Sequence, residues 1–142
     1  MNTTYTAEGH IDAHPQVVLS VAHGPGGAIA TLQGDLDVAT APALREGLLA
    51  LLRPGLRLLV LDLSRLWFCD AAGVSVLLGT RRRATLLHIP LRLAAPRSRV
   101  AKILEVTGAD CGFMIYSTLP EALALPLPPT LGPDRHRALC AG

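Results

Sequence analysis

Leu61-Asp62-Leu63-Ser64-Arg65-Leu66-Trp67-Phe68-Cys69-Asp70-Ala71-Ala72-Gly73-Val74-Ser75-Val76-Leu77-Leu78 is the stretch on which the reading of this chain turns. It grows out of the apolar run Leu58-Leu59-Val60-Leu61. That run does not alternate, which suits a strand covered on both faces. The strand is expected to end in Asp62-Leu63-Ser64, and a short apolar loop crosses Leu66-Trp67-Phe68-Cys69. Asp70-Ala71-Ala72-Gly73 then opens a helix in which Val74, Leu77, Leu78, Ala84 and Leu87 share a face, with Arg81 beside that stripe. The first amides of such a helix lack partners, and its dipole makes that end positive. It would attract a phosphate or an acidic group of a partner. The plainer reading makes Asp70 an N-cap and Gly73 a point of close packing.

Working outward, strands and helices alternate. Val17-Val18-Leu19 and Ala28-Ile29-Ala30-Thr31-Leu32 flank Gly24-Pro25-Gly26-Gly27, which predicts a hairpin. Thr40 is placed to cap a first helix, Pro42 falls in its first turn, and Leu44, Leu48, Leu51 and Leu52 form its apolar face. Pro54-Gly55 stops it. Beyond the central stretch, Leu91-Arg92-Leu93-Ala94 reads as a strand. A helix follows from Pro96 and Ser98, carrying Val100, Ile103, Leu104 and Thr107 and ending at Gly108. Phe113-Met114-Ile115-Tyr116 is a last strand, and Thr118-Leu119-Pro120-Glu121 is a capping box for a short helix through Leu125. The order β-β-α-β-α-β-α-β-α implies an α/β domain, parallel after the hairpin. Residues 1–15 read as a flexible leader, 16–125 as the domain, and 126–142 as a Pro-rich, disordered tail.

Composition excludes several classes. The chain has 142 residues, 50% of them apolar and 17% charged, which a disordered chain would not have. Charges at Arg53, Arg57, Asp62, Asp70, Arg81 and Arg92 break every run long enough to span a membrane, so the apolar residues belong to a core. A net charge of +2 gives no concentrated basic face for nucleic acid. The three cysteines, Cys69, Cys111 and Cys140, form no CxxC pair and no disulfide framework, and the first residues have no signal-peptide pattern. A reducing cytoplasm is expected.

Catalytic chemistry finds little support. Among five histidines there is no HExxH and no Cys/His cluster, and His10 and His14 sit beside Gly9 and Pro15, so no metal is expected. There is no GxSxG; Ser64 and Ser75 lie near Asp70 without a histidine close in sequence. Cys69 reads as a small buried residue. Gly24-Pro25-Gly26-Gly27 lacks the Lys-Ser/Thr of a phosphate loop. Arg81-Arg82-Arg83 reads as a solvated helix face. Trp67 is either core or an interface anchor. Asp35 and Asp37 either cap the first helix or line a docking surface.

The central stretch resembles the signature of the STAS domain, the fold of bacterial anti-sigma factor antagonists. Gly34-Asp35-Leu36-Asp37-x-x-Thr40-Ala41-Pro42-x-Leu44 is similar to that family's earlier stretch. Leu91, Leu93, Pro96, Val100, Leu104, Gly108 and Phe113 fit its second half. The resemblance covers about residues 16–125. It implies a single α/β domain, a mixed sheet of four or five strands with helices mainly on one face. It also implies a non-catalytic, cofactor-free interaction module that binds an anti-sigma factor, a serine kinase of histidine-kinase-like ATPase fold, and so frees a sigma factor. The partner surface carried over is Asp35, Asp37, Thr40, Asp70, Ala71, Ala72, Gly73 and Val74. In the family a Ser or Thr at the helix start is phosphorylated, which ends binding. A dianion there adds charge and bulk at the centre of the surface. Here Ala72 stands at that position and has no hydroxyl; Ser75 is the nearest, one turn on. Other readings are a STAS domain sensing a nucleotide or small anion, or a scaffold component of a signalling complex. A homo-oligomer is compatible with either.

Overall fold

The computed structural model describes residues 2–7, 17–24 and 26–124. The tail over 126–142 and the histidines His10, His14 and His136 lie outside them. The strands are β1 (Asn2–Ala7), β2 (Val17–Gly24), β3 (Gly27–Leu36), β4 (Leu59–Cys69), β5 (Leu91–Ala94) and β6 (Met114–Tyr116). The helices are α1 (Ala41–Leu51), α2 (Ala71–Leu86), α3 (Ser98–Val106) and α4 (Leu119–Ala124), with a 3-10 turn at Ala109–Gly112. The strands lie side by side in sequence order. β2–β6 form the expected mixed sheet: β2 pairs antiparallel with β3, and β3, β4, β5 and β6 pair parallel. β1, inside the segment read as a leader, adds antiparallel to β2 at the edge.

Each parallel pair needs a crossover, and α1, α2 and α3 supply them. Crossovers of one hand that step in one direction leave their helices on one face. Alternation along the strands matches this. Val17, Leu19 and Val21 of β2 and Ala28, Ala30 and Leu32 of β3 face that layer. So do Leu59, Leu61 and Leu63 of β4, together with Leu44, Leu48, Leu77, Val100 and Leu104 from the helices. Val60 on the opposite face of β4, and Leu58 just before the strand, join Ala94 and Ala122 in a second, smaller cluster under α4. The lack of alternation in the Leu58–Leu61 run thus has its physical cause in two covered faces.

Two charged side chains, Asp62 and Arg92, are buried on that second face. Arg92 of β5 donates from Nη1 to the Ala122 carbonyl oxygen at 2.6 Å, and its guanidinium lies 5.5 Å from the centre of the Tyr116 ring. It ties α4 to the sheet. Gly108 adopts φ 76° after α3, as its position as a helix stop requires. Two expectations need correction. β4 does not end near Asp62 but runs on to Cys69, so the segment read as a loop is the second half of a strand. Cys69 is a free thiol, but Cys111 is disulfide-bonded, a bond that the reading of the three cysteines as no disulfide framework did not foresee.

Candidate functional site

The carboxyl ends of parallel strands are where loops converge in open α/β sheets. Here the ends of β3 and β4 bring the two sequence-predicted stretches together. Asp35 pairs with Phe68 and Leu36 with Cys69, and the Asp70 amide donates to the Leu36 carbonyl oxygen at 3.2 Å.

The β3–α1 connection is a small closed network. Asp37 Oδ1 accepts from the amides of Ala39 at 2.9 Å and Thr40 at 3.1 Å. The Thr40 hydroxyl accepts from the Asp37 amide at 3.0 Å and donates to the Asp35 carbonyl oxygen at 3.0 Å. Thr40 precedes α1, as expected, but has helical φ/ψ and makes no side-chain cap. Its hydroxyl is spent backwards into the loop and is fully buried. Asp37 is therefore the organiser of this turn. The Asp35 carboxylate has no hydrogen-bond partner among the described residues, while Val38 at the tip is 71% exposed.

The start of α2 is built differently. Asp70 is the N-cap, with extended φ/ψ, and its Oδ1 accepts from the Gly73 amide at 3.0 Å. Gly73 is fixed by space. A Cβ there would lie 2.7 Å from Cys69 Sγ, 2.7 Å from Leu36 Cγ and 2.9 Å from the Leu36 carbonyl oxygen. Both plain structural roles, cap and close packing, are therefore filled. Ala71 is exposed, Ala72 is half-buried against the core edge, Val74 is buried in the core, and Ser75 is exposed. Of the eight residues singled out from sequence, Thr40, Gly73 and Val74 shape the surface from beneath. Asp35, Asp37, Asp70, Ala71 and Ala72 reach or border it. Below, Cys69 is buried; burial, and next the charge of Asp70, push its thiol up to about 12. It is no nucleophile at neutral pH.

Sequence reasoning left Trp67 undecided and did not single out Arg97 at all. The register of β4 on β3 slips between Gly34/Leu66 and Asp35/Phe68, so Trp67 is an extra, bulged residue. It is not core: it is 46% exposed, with Phe68 38% exposed beside it. The Arg97 guanidinium lies 4.3 Å from the indole centre, and its Nη1 donates to the Ser64 carbonyl oxygen at 3.1 Å. The bulge and the exposed aromatic are tertiary facts; a run of large apolar residues ending at a helix cap is the one sequence signal that could have suggested them. Arg82 and Arg83 are exposed, whereas Arg81 is half-buried against Gly112.

A strand that ends in an aspartate-capped, glycine-packed helix, beside a self-closed Asp-x-x-Thr turn, on a mixed sheet in this order, is the architecture of the STAS domain. The STAS family model matches residues 18–122, and the chain belongs to that family. Among its sequence relatives is the anti-sigma-F factor antagonist RsfB of Mycobacterium tuberculosis, 27% identical over 113 residues, spanning 80% of this chain and 92% of the relative. A solved anti-sigma factor antagonist from Mycobacterium paratuberculosis superposes with a TM-score of 0.67 at 26% identity, covering 75% of this chain and 91% of that one. The fold also matches part of the murine anion transporter Slc26a9, with a TM-score of 0.66 at 16% identity, covering 86% of this chain and 22% of that one. That second likeness is one of fold alone. Among the described residues, no helix is long and apolar enough to cross a membrane.

Proposed function

We propose that this chain is a non-catalytic regulatory module that antagonises an anti-sigma factor and that lacks the phosphoacceptor at the start of α2. Fold does not assign function, so the reading rests on the site. Its partner is an anti-sigma factor with a histidine-kinase-like ATPase fold, and its compartment is the cytoplasm, where sigma factors act. The docking surface is the carboxyl edge of β3 and β4: the Asp35–Thr40 turn, Asp70, and the outer side of α2 at Ala71 and Ala72. The interacting unit is the domain over 16–125, with 1–15 and 126–142 as accessory segments.

The observation that supports this reading is the start of α2, where residue 72, the position the resemblance gives to the phosphoacceptor, is an alanine. Everything that shapes the helix start is kept: Asp70 caps, and Gly73 has no room for a side chain. Only the hydroxyl is missing, because the residue is Ala72. A surface that keeps its shape and loses its charge switch holds its partner irrespective of kinase activity. Control then passes to expression, competition or proteolysis.

The test is capture of partners from native cells by the native chain and by Ala72→Glu, followed by purification of the ATPase recovered. The expected result is an ATPase bound by the native chain and lost with Ala72→Glu, and an Ala72→Ser variant that the same ATPase phosphorylates. Ala72→Ser that binds but is never phosphorylated would show that residue 72 is not the acceptor position. Recovery of no such ATPase, with thermal stabilisation by a nucleotide, would replace this reading with an anion sensor.

A further inference from the structure

The exposed groups of the carboxyl edge are not confined to the start of α2. Trp67 is bulged out of β4 and half-exposed, although it is the only tryptophan in the chain. Its outer company is cationic. Arg97, in the connection from β5 to α3, stacks on it, and Arg65 and Arg99, neighbours in sequence of Ser64 and Arg97, are both exposed. Among the described residues, no carboxylate pairs with them. Glu105 pairs with Lys102 on α3, and Asp62 is buried with its Oδ1 accepting from the Ser64 amide.

The Arg97 guanidinium is held before any partner arrives. One face lies on the indole, and Nη1 is bonded to the Ser64 carbonyl oxygen. A guanidinium has five N–H donors in one plane. With one spent, and no other bond from Arg97 among the described residues, the rest of that fork is open to solvent. A stacked, fixed fork with free in-plane donors suits a carboxylate, which takes two parallel N–H bonds. Fixing it in advance also removes the ordering cost that a mobile arginine would bring to an interface. Aromatic and arginine side chains are the residues that dominate interface energies.

We propose that Trp67 and Arg97 form a second contact of the docking surface, a cation–aromatic platform that receives a carboxylate on an acidic segment of the same partner. This rests on the reading of the chain as an anti-sigma factor antagonist. The surface is then dipolar. Asp35, without a hydrogen-bond partner among the described residues, lies on the β3 side of β4 beside Phe68, and Arg97, which follows β5, lies on the other side against Trp67. Opposed charges of this kind fix the orientation in which a partner docks.

The experiment measures the affinity of the purified full chain for each purified histidine-kinase-like ATPase of its own genome, at low and at physiological salt. The variants are Arg97→Glu, Arg97→Lys, Trp67→Ala and Ala72→Glu, with Arg82→Glu as a control and circular dichroism to establish folding. The expected result is loss of about tenfold or more for Arg97→Glu and for Trp67→Ala. Arg97→Lys keeps the charge but not the fork and falls between. Arg82→Glu binds like the native chain, and the salt dependence is shallower in Arg97→Glu than in the native chain. If Ala72→Glu abolishes binding while Arg97→Glu and Trp67→Ala bind as the native chain does, the platform is overturned and the antagonist reading stands. If Arg97→Glu loses affinity and Ala72→Glu does not, the platform holds and the α2 start is not the docking centre. If no ATPase binds the native chain, both are overturned.

Discussion

Two helices begin at the same edge of the sheet, and they begin by different physics. The turn before α1 is held by hydrogen bonds among its own residues: Asp37 Oδ1 takes two amides, and the Thr40 hydroxyl closes the loop onto the Asp35 carbonyl oxygen. The start of α2 is held by packing. Asp70 makes one cap bond to Gly73 and its amide bonds the Leu36 carbonyl oxygen, and the rest is the close approach of Gly73 to Leu36 and Cys69. That hydrogen-bonded turn spends the Asp37 carboxylate and the Thr40 hydroxyl internally and leaves the Asp35 carboxylate as the group without a partner among the described residues. A packed start leaves its outward side chains free of structural duty. That difference explains why the exposed Ala71 and Ser75 can change in charge and bulk while Gly73 cannot.

The comparison breaks first at Gly73. In an ordinary helix, Gly→Ala stabilises by about 1 kcal/mol. Here the new methyl would sit 2.9 Å from a backbone oxygen and 2.7 Å from two side-chain atoms. Overpacking of that kind costs about 3 kcal/mol, which outweighs the helix gain. Gly73→Ala is therefore expected to lower stability by about 2 kcal/mol or more in chemical denaturation, with the end of β3 displaced. Adding Cys69→Ala relieves the sulfur contact but not the Leu36 oxygen, so the double variant should recover only part of the loss. A Gly73→Ala protein as stable as the native chain would mean that packing does not hold this helix start.

Much of this architecture was legible in the sequence. The β2–β3 hairpin, the leucine face of α1, the Gly108 stop and the Asp70 cap all follow from local sequence, and each is found where it was expected. What escaped has physical causes. The continuation of β4 to Cys69 was hidden because two register slips against β3 break its alternation: Leu66 is buried, Trp67 and Phe68 are exposed, and Cys69 is buried again. An order of in-out-out-in has no period of two, and so the segment read as a loop. β1 is a polar Asn-Thr-Thr-Tyr-Thr-Ala strand whose signal is weak, because an edge strand needs only one neighbour. Arg97 was invisible because its meaning lies in a contact with Ser64, 33 residues away. Thr40 was placed correctly but given the wrong bond; spacing cannot tell a forward cap from a hydroxyl turned back into its loop.

The polar half of the comparison is sharpened by two single-residue changes of moderate effect. Thr40→Val keeps the volume of a fully buried side chain but strands the Asp37 amide and the Asp35 carbonyl oxygen, at a cost of about 2 kcal/mol. Asp70→Ala removes one half-buried cap, worth about 1 kcal/mol. The hydrogen-bonded turn should therefore be the more sensitive of the two to loss of a polar group, measured as the shift in urea midpoint at constant m-value. An Asp70→Ala loss exceeding that of Thr40→Val would reverse the assignment of which start depends on hydrogen bonds.

The smallest expected effect is at Cys69, beneath the packed start. Burial first, then the negative charge of Asp70, push its thiol from 9.0 up to about 12, so at pH 8 the folded protein holds almost no thiolate there. Alkylation of the folded chain at pH 8, read by mass of the Cys69 peptide, should show no more labelling than its rate of opening allows, and full labelling in denaturant. The same displacement sets a sign for stability. Below pH 9 both folded and unfolded chains keep the proton, and this thiol contributes no pH dependence. Between pH 9 and about 12 the unfolded chain loses its proton first, so native stability falls with rising pH, and Cys69→Ala, with nothing to titrate, falls less steeply. Rapid labelling of native Cys69 at pH 8 would mean that the Leu36–Cys69–Gly73 contact opens readily. A start held by packing cannot open readily and still exclude a methyl group at residue 73.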